Sequence, residues 1–124
     1  MNNNTLNNNN LEIKRGTIVM VDLPLGNSSV QGGTRPAVVI SNDKGNKFSP
    51  VLIVVPLTSR VKKFMPTHYT IEPSTINGLT KTSIALAEQI ITIGKDMVRN
   101  IVGTLDEVDI NFVNHKVMTS LALF

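Results

Sequence analysis

Cysteine and tryptophan are both absent from the 124-residue chain. Without cysteine there is no disulfide, no thiolate nucleophile and no thiolate-rich zinc site. Histidine is scarce: His68 and His115 are too few and too far apart in sequence to suggest a metal cluster. Aromatic residues make up 4% of the chain, one Tyr and four Phe, which argues against a nucleic-acid surface built mainly on stacked bases. No apolar run approaches the ~18 residues of a membrane span. The polar N-terminus lacks the basic-then-apolar order of a secretory signal, so a cytoplasmic protein is expected.

What remains is a one-domain length, since domains usually run ~100–200 residues. The 41% hydrophobic content supports a real core and excludes disorder over most of the chain. A net charge of +3 permits an anionic partner without demanding one.

Met1 to Asn10 holds seven asparagines and almost nothing apolar. Such a segment has too little to bury, so residues 1–12 are predicted to be a disordered leader and 13–124 the folded domain. Strands are predicted at Thr17–Asp22, Pro36–Ile40, Val51–Leu57, His68–Glu72, Thr82–Ile93 and Val98–Val102, from β-branched content and alternation. Pro56 suggests that the third of these is an edge strand or carries a bulge. Ser41 to Gly45 reads as a turn, as does Pro73 to Thr80 with its Asn77-Gly78 pair. Leu23 to Thr34 is a Gly- and Ser-rich loop longer than a hairpin needs, and such loops often carry function.

Thr104 and Glu107 stand at capping-box spacing before a helix whose Ile110, Val113, Val117 and Leu121 share one face. The apolar end, Ser120 to Phe124, is expected to dock on the body of the protein or on a partner. Strands do not alternate with helices, which excludes a doubly wound sheet. The predicted fold is mainly β: a small, partly closed antiparallel barrel with a C-terminal helix packed on it.

Three stretches bear chemistry. In Gln31-Gly-Gly-Thr-Arg-Pro36, two glycines let the backbone turn sharply, and Pro36 biases Arg35 toward an extended conformation. One guanidinium is thereby held at a loop–strand junction, where its planar fork suits a phosphate. An ordinary Gly-rich turn with a surface ion pair fits the motif as well, and is commoner. Thr58-Ser59 ends an apolar strand, where two hydroxyls can bond a phosphate or a base edge, or simply begin a turn. Arg60, Lys62 and Lys63 follow, most simply as a solvated basic face, with phosphate steering as the less common reading.

Glu88-Gln89 interrupts an otherwise apolar strand, so alternation sets a polar group among apolar neighbours. Leaving it buried and unpaired would cost about 1–3 kcal/mol. A structural partner or a groove at that point resolves the conflict. His68 fits a general base, but a packing or hydrogen-bonding residue is the commoner role; His115 falls between core-facing helix positions and reads as surface.

Taken together and in order, these stretches resemble the MazF/PemK/Kid toxins of bacterial toxin–antitoxin systems. The likeness runs from about Lys14 to Leu123. It is carried by Arg15-Gly-Thr-Ile-Val, Gln31 to Asp43, Val54-Val-Pro-Leu-Thr-Ser59, Pro66-Thr-His68, Glu88 to Ile93 and Ser120-Leu-Ala-Leu123.

The resemblance implies a homodimer of SH3-like barrels of the CcdB/PemK type. It also implies an endoribonuclease that cuts single-stranded mRNA without metal or cofactor, by attack of the substrate's own 2′-OH, and so arrests translation and growth. A MazE-like antitoxin partner is implied, with DNA binding by their complex. The family's catalytic Arg and Thr fall on Arg35 and Thr58. Ser29, Gln31, Gly32, Gly33, Ser59, Glu88 and Gln89 match positions lining its RNA groove, and Glu88 is the carboxylate candidate for the 2′-OH proton.

Val30 departs from relatives that carry an acidic residue there, so their cut-site preference does not transfer. The same fold also carries CcdB-like toxins that poison DNA gyrase and cut nothing, and non-catalytic RNA-binding or adaptor barrels; in neither would Arg35 and Thr58 have a catalytic role.

Overall fold

The computed structural model describes residues 12–24, 30, 32–60 and 63–123. Residues 1–11 of the predicted leader therefore lie outside the described residues, as do Ser29, Gln31 and Phe124. Seven strands and two helices follow in order: β1 (Thr17–Leu23), β2 (Gly33–Val39), α1 (Asp43–Phe48), β3 (Val51–Thr58), β4 (His68–Ile71), β5 (Ser83–Leu86), β6 (Ile91–Gly94), β7 (Val98–Thr104) and α2 (Glu107–Leu121).

The strands form one antiparallel sheet in the order β4-β5-β3-β2-β1-β7, with β6 also pairing β3. The mainly β fold with a C-terminal helix is as expected. The sheet stays open, with β4 and β7 ending the strand path.

Continuous apolar runs make the three central strands, because both of their faces are covered. On one face Ile18, Val38, Val55 and Leu57 pack with Ile71, Leu79, Ala85 and Val113 of α2. On the other, Val19, Val21, Ala37, Val39, Leu52 and Val54 pack with Ile93 and Val98. Neighbouring residues of each strand thus belong to opposite clusters, as the two-residue period of a strand requires. α2 is tied down further where Tyr69 stacks on Phe112 at 5.2 Å and its hydroxyl donates to Asp109 Oδ1 at 2.5 Å.

Five local expectations are corrected. Ser41 to Gly45 does not stop at a turn: Asn42 accepts from the Gly45 N–H at 2.8 Å and caps the short helix α1. Pro56 is not on an edge. It sits where β3 changes partner, between the Val54↔Ile91 and Leu57↔Ala85 pairs, so neither ladder needs its missing N–H.

The cap of α2 is Asp106, which accepts from Asp109 N at 2.8 Å, while Thr104 ends β7. Leu121 and Leu123 are exposed, so these two residues do not dock on the body of the protein, the first of the two expected sites, and α2 ends in a left-handed cap at Ala122.

The long strand predicted over Thr82–Ile93 is broken by a 3₁₀ turn at Ala87–Gln89. β5 and β6 both run antiparallel to β3, and their registers differ by three residues, the length of that turn. The break works as a bulge that lets one segment serve both ends of β3. It also removes the conflict at Glu88-Gln89, because a turn has no alternating faces.

Candidate active site

Arg35 is placed by β2, which starts at Gly33. Gly33 has φ +81°, a conformation that disfavours any side chain even though a Cβ there would meet nothing. Arg35 Nε donates to Gly32 O at 2.9 Å, which curls the side chain over the loop. Thr58 is placed by β3, which pairs with β2. Arg35 and Thr58, separated in sequence, line one open cleft of about 430 Å³ with Thr34, Ser59, Arg60, Thr80, Lys81 and Ser83.

Thr58 is only 2% exposed, and its hydroxyl accepts from the Arg60 backbone N–H at 3.2 Å. That acceptance leaves the hydroxyl proton available to donate into the cleft. Burial, and after it the neighbouring Arg60, lowers the pKa of Arg35 from its ordinary value. The ordinary value is so high that the guanidinium stays charged at neutral pH. No carboxylate lines the cleft among the described residues. The arrangement offers positive charge and hydroxyl donors, which suits a group that gathers negative charge.

Glu88 and Gln89 are not in this cleft. They line a second one of about 270 Å³, with Leu23, Val30, Pro56, Ile90 and Ile91. The 3₁₀ turn presents them, and Glu88 is anchored: Thr67 Oγ1 donates to its Oε1 at 2.8 Å, and His68 Nε2 lies 3.1 Å from its Oε2. Burial alone would raise the Glu88 pKa, but the bonds from Thr67, its own backbone N–H and His68 outweigh it and hold the carboxyl below its usual range. His68, 6% exposed, is the hydrogen-bonding residue that its sequence context favoured, and His115 is on the surface.

The structure thus brings Arg35, Thr58 and Ser59 together, and keeps Glu88 and Gln89 together elsewhere, with Val30 beside them. Gly32 and Gly33 lead into Arg35, while Ser29 and Gln31 lie outside the described residues. Lys81, Thr80 and Ser83 had no functional signal in the sequence, where Thr80 ended an ordinary turn and the other two followed it. Only the Asn77-Gly78 pair hinted that the chain folds back there. Among the described residues, no group of three or more His, Asp or Glu is placed to hold a metal ion, and no helix is long and apolar enough to cross a membrane.

The chain matches the family described as PemK-like, MazF-like toxin of type II toxin-antitoxin system, over residues 14–121. It is 40% identical over 112 residues to Endoribonuclease MazF of Staphylococcus saprophyticus, covering 90% of this chain and 92% of that protein. It is 39% identical over 112 residues to Endoribonuclease EndoA of Bacillus subtilis, covering 90% and 96%. Among solved structures, a mycobacterial endoribonuclease in complex with its cognate antitoxin superposes with a TM-score of 0.74 at 27% identity, covering 90% of this chain and 96% of that one.

Proposed function

The chain belongs to the PemK-like, MazF-like family of type II toxin–antitoxin toxins, and from that membership we propose that it is a sequence-specific endoribonuclease acting on single-stranded mRNA. The observation that carries this reading is the shared cleft of Arg35 and the buried Thr58 hydroxyl, which holds cations and hydroxyls and no carboxylate among the described residues. Relatives about 40% identical over nearly their whole length are named endoribonucleases.

The chemistry follows from the groups present. The 2′-OH next to the scissile phosphate attacks phosphorus, forming a 2′-O–P bond as the P–O5′ bond breaks. The products are a 2′,3′-cyclic phosphate and a 5′-OH, and the proton lost from the 2′-OH is balanced by the one gained at O5′. Charge grows on the non-bridging oxygens, where Arg35 neutralises it and Thr58 donates a hydrogen bond. Because the RNA supplies the nucleophile, the chain needs neither cysteine nor a metal-bound hydroxide.

Ser59 at the cleft, and Glu88 and Gln89 at the second one, are the base-reading groups, since amides and carboxylates bond the edges of unstacked bases. Gly32 and Gly33 complete the groove where the chain enters β2, and Ser29 and Gln31 are assigned to RNA contact from the family likeness alone. The protein acts as a cytoplasmic homodimer, and an antitoxin occupies the groove and silences it.

The test is incubation of purified protein with a long unstructured RNA in excess chelator, followed by sequencing of the 5′-OH ends. Cuts at one short motif are expected. An intact RNA, or cleavage that appears only when a divalent metal is restored, overturns the proposal.

A further inference from the structure

Lys81 comes from a stretch with no chemical signal in the sequence, yet it lines the same cleft as Arg35 and Thr58. Its backbone is held there by a built turn. Asn77, 3% exposed, accepts from Ser74 N at 3.0 Å and Leu79 N at 2.9 Å, and donates to Glu72 O at 2.9 Å. Gly78 turns at φ +69° so close to β7 that a Cβ would meet Val102 O at 2.1 Å. Leu79 plugs into the core, and Ser83 Oγ donates to Lys81 O at 3.0 Å. The chain on both sides of Lys81 is therefore pinned, while the side chain itself is exposed.

Arg60 reaches the cleft from the end of β3. Neither Arg60 nor Lys81 takes part in an ion pair among the described residues. Three cations share one cleft with no carboxylate among its lining residues. Like charges so placed repel, and a bound polyanion relieves the repulsion. One phosphodiester carries a single negative charge in the ground state and approaches two as charge grows on its non-bridging oxygens. Three cations exceed what the reacting phosphate requires even then.

On the premise that the protein is a ribonuclease, we propose that Arg60 and Lys81 form a second phosphate subsite, which grips the phosphodiester adjoining the scissile one. The subsite acts on ground state and transition state alike, so it strengthens binding and sets the register of the strand without accelerating the chemical step. It is blind to sequence. The bases are read by Ser59 beside the subsite and by Glu88 and Gln89 at the second cleft, while Arg60 and Lys81 hold the backbone.

The test uses the full chain and an RNA oligonucleotide containing its mapped cut site. Arg60→Ala and Lys81→Ala each raise KM on the order of tenfold with kcat little changed, and each makes the salt dependence of kcat/KM shallower by ~0.7 in log–log slope. Lys81→Arg restores the wild-type values, and Lys47→Ala, on α1 and outside the cleft, changes neither. Replacing one flanking phosphate by a neutral methylphosphonate weakens the wild type but not the Lys81→Ala variant. Lys81→Gln serves as a second variant, with circular dichroism as the check that both remain folded. Wild-type KM and salt slope in both alanine variants, with the wild type still cutting, overturn the subsite alone. A wild type that cuts no RNA overturns the ribonuclease reading and the subsite with it.

Discussion

The two clefts lie along the same strand, β3, and differ in the polar groups that line them. The one beside Thr58 holds three cations and several hydroxyls, with no carboxylate among the described residues. The one beside Pro56 holds a carboxylate, an amide and apolar side chains, and no cation among the described residues. A sheet can separate functions in this way because β3 changes partner at Pro56. β5 pairs with the Thr58 end of β3, and the 3₁₀ turn presents Glu88 and Gln89 beside Pro56, where the partner changes. On the proposed ribonuclease reading, the difference teaches how a chain without cysteine and with two histidines would divide selective chemistry. One cleft would supply charge to a backbone that is the same at every position, and the other the donors and acceptors that distinguish bases.

The comparison is broken most completely at Arg35. Arg35→Ala is expected to lower kcat for RNA cleavage by about 10²–10³-fold, with the thermal melt unchanged because, among the described residues, its side chain hydrogen-bonds only to Gly32 O. Thr58→Val keeps the buried volume, removes the donor and should cost less; the two single variants and the double variant, assayed on one RNA, measure their coupling. A cut rate in Arg35→Ala equal to wild type would leave the cationic cleft without a catalytic role.

A smaller and different effect is expected at the second cleft. Glu88→Gln should retain cleavage and relax the choice of bases around the cut, read by sequencing product ends. It should also alter stability with pH. The Glu88 carboxyl is held below its usual range in the folded protein. It therefore contributes stability above the unfolded pKa of about 4.3, lost as pH falls through the folded value. Urea titrations should show the wild type ahead at neutral pH and the two proteins converging in acid. Parallel curves at all pH values would mean that the Thr67–Glu88–His68 cluster is not stabilising.

The smallest effect is expected away from both clefts. Arg99 Nε bonds both oxygens of Asp22, at 2.8 and 2.9 Å, joining β7 to β1 on the surface. Exposed pairs of this kind contribute little, so Arg99→Ala should leave cutting, base choice and the melt close to wild type. A large loss of cutting there would show that the two clefts do not divide the function between them.

The neighbourhood of Arg35 was legible because its devices are local. Two glycines, an arginine and a proline in sequence shape one loop–strand junction, and the positive φ of Gly33 is a property of that residue alone. The same holds for the strands at Thr17 and Val51, whose β-branched runs leave few alternatives. Glu88-Gln89 was legible only as a conflict with strand periodicity. Local pattern sees a strand there, whereas the chain breaks to let β5 and β6 both reach β3. The helix start was misplaced for a similar reason: Thr104 has the right spacing for a cap, but the demand of β1 for a partner keeps it in β7.

The sequence by itself determined that this is one small, mainly β domain with a C-terminal helix, and its likeness to the family put Arg35 and Thr58 forward as the proposed catalytic pair. Periodicity, turn residues and motif order are local properties, and they survive without coordinates. Only the tertiary structure decided that Arg60 and Lys81 share the cleft with Arg35 while Glu88 and Gln89 stand in another. Which side chains meet across a sheet depends on register, on where β3 changes partner and on how the Asn77-Gly78 turn packs against β7. Those are set by long-range burial, which no short stretch of the chain encodes.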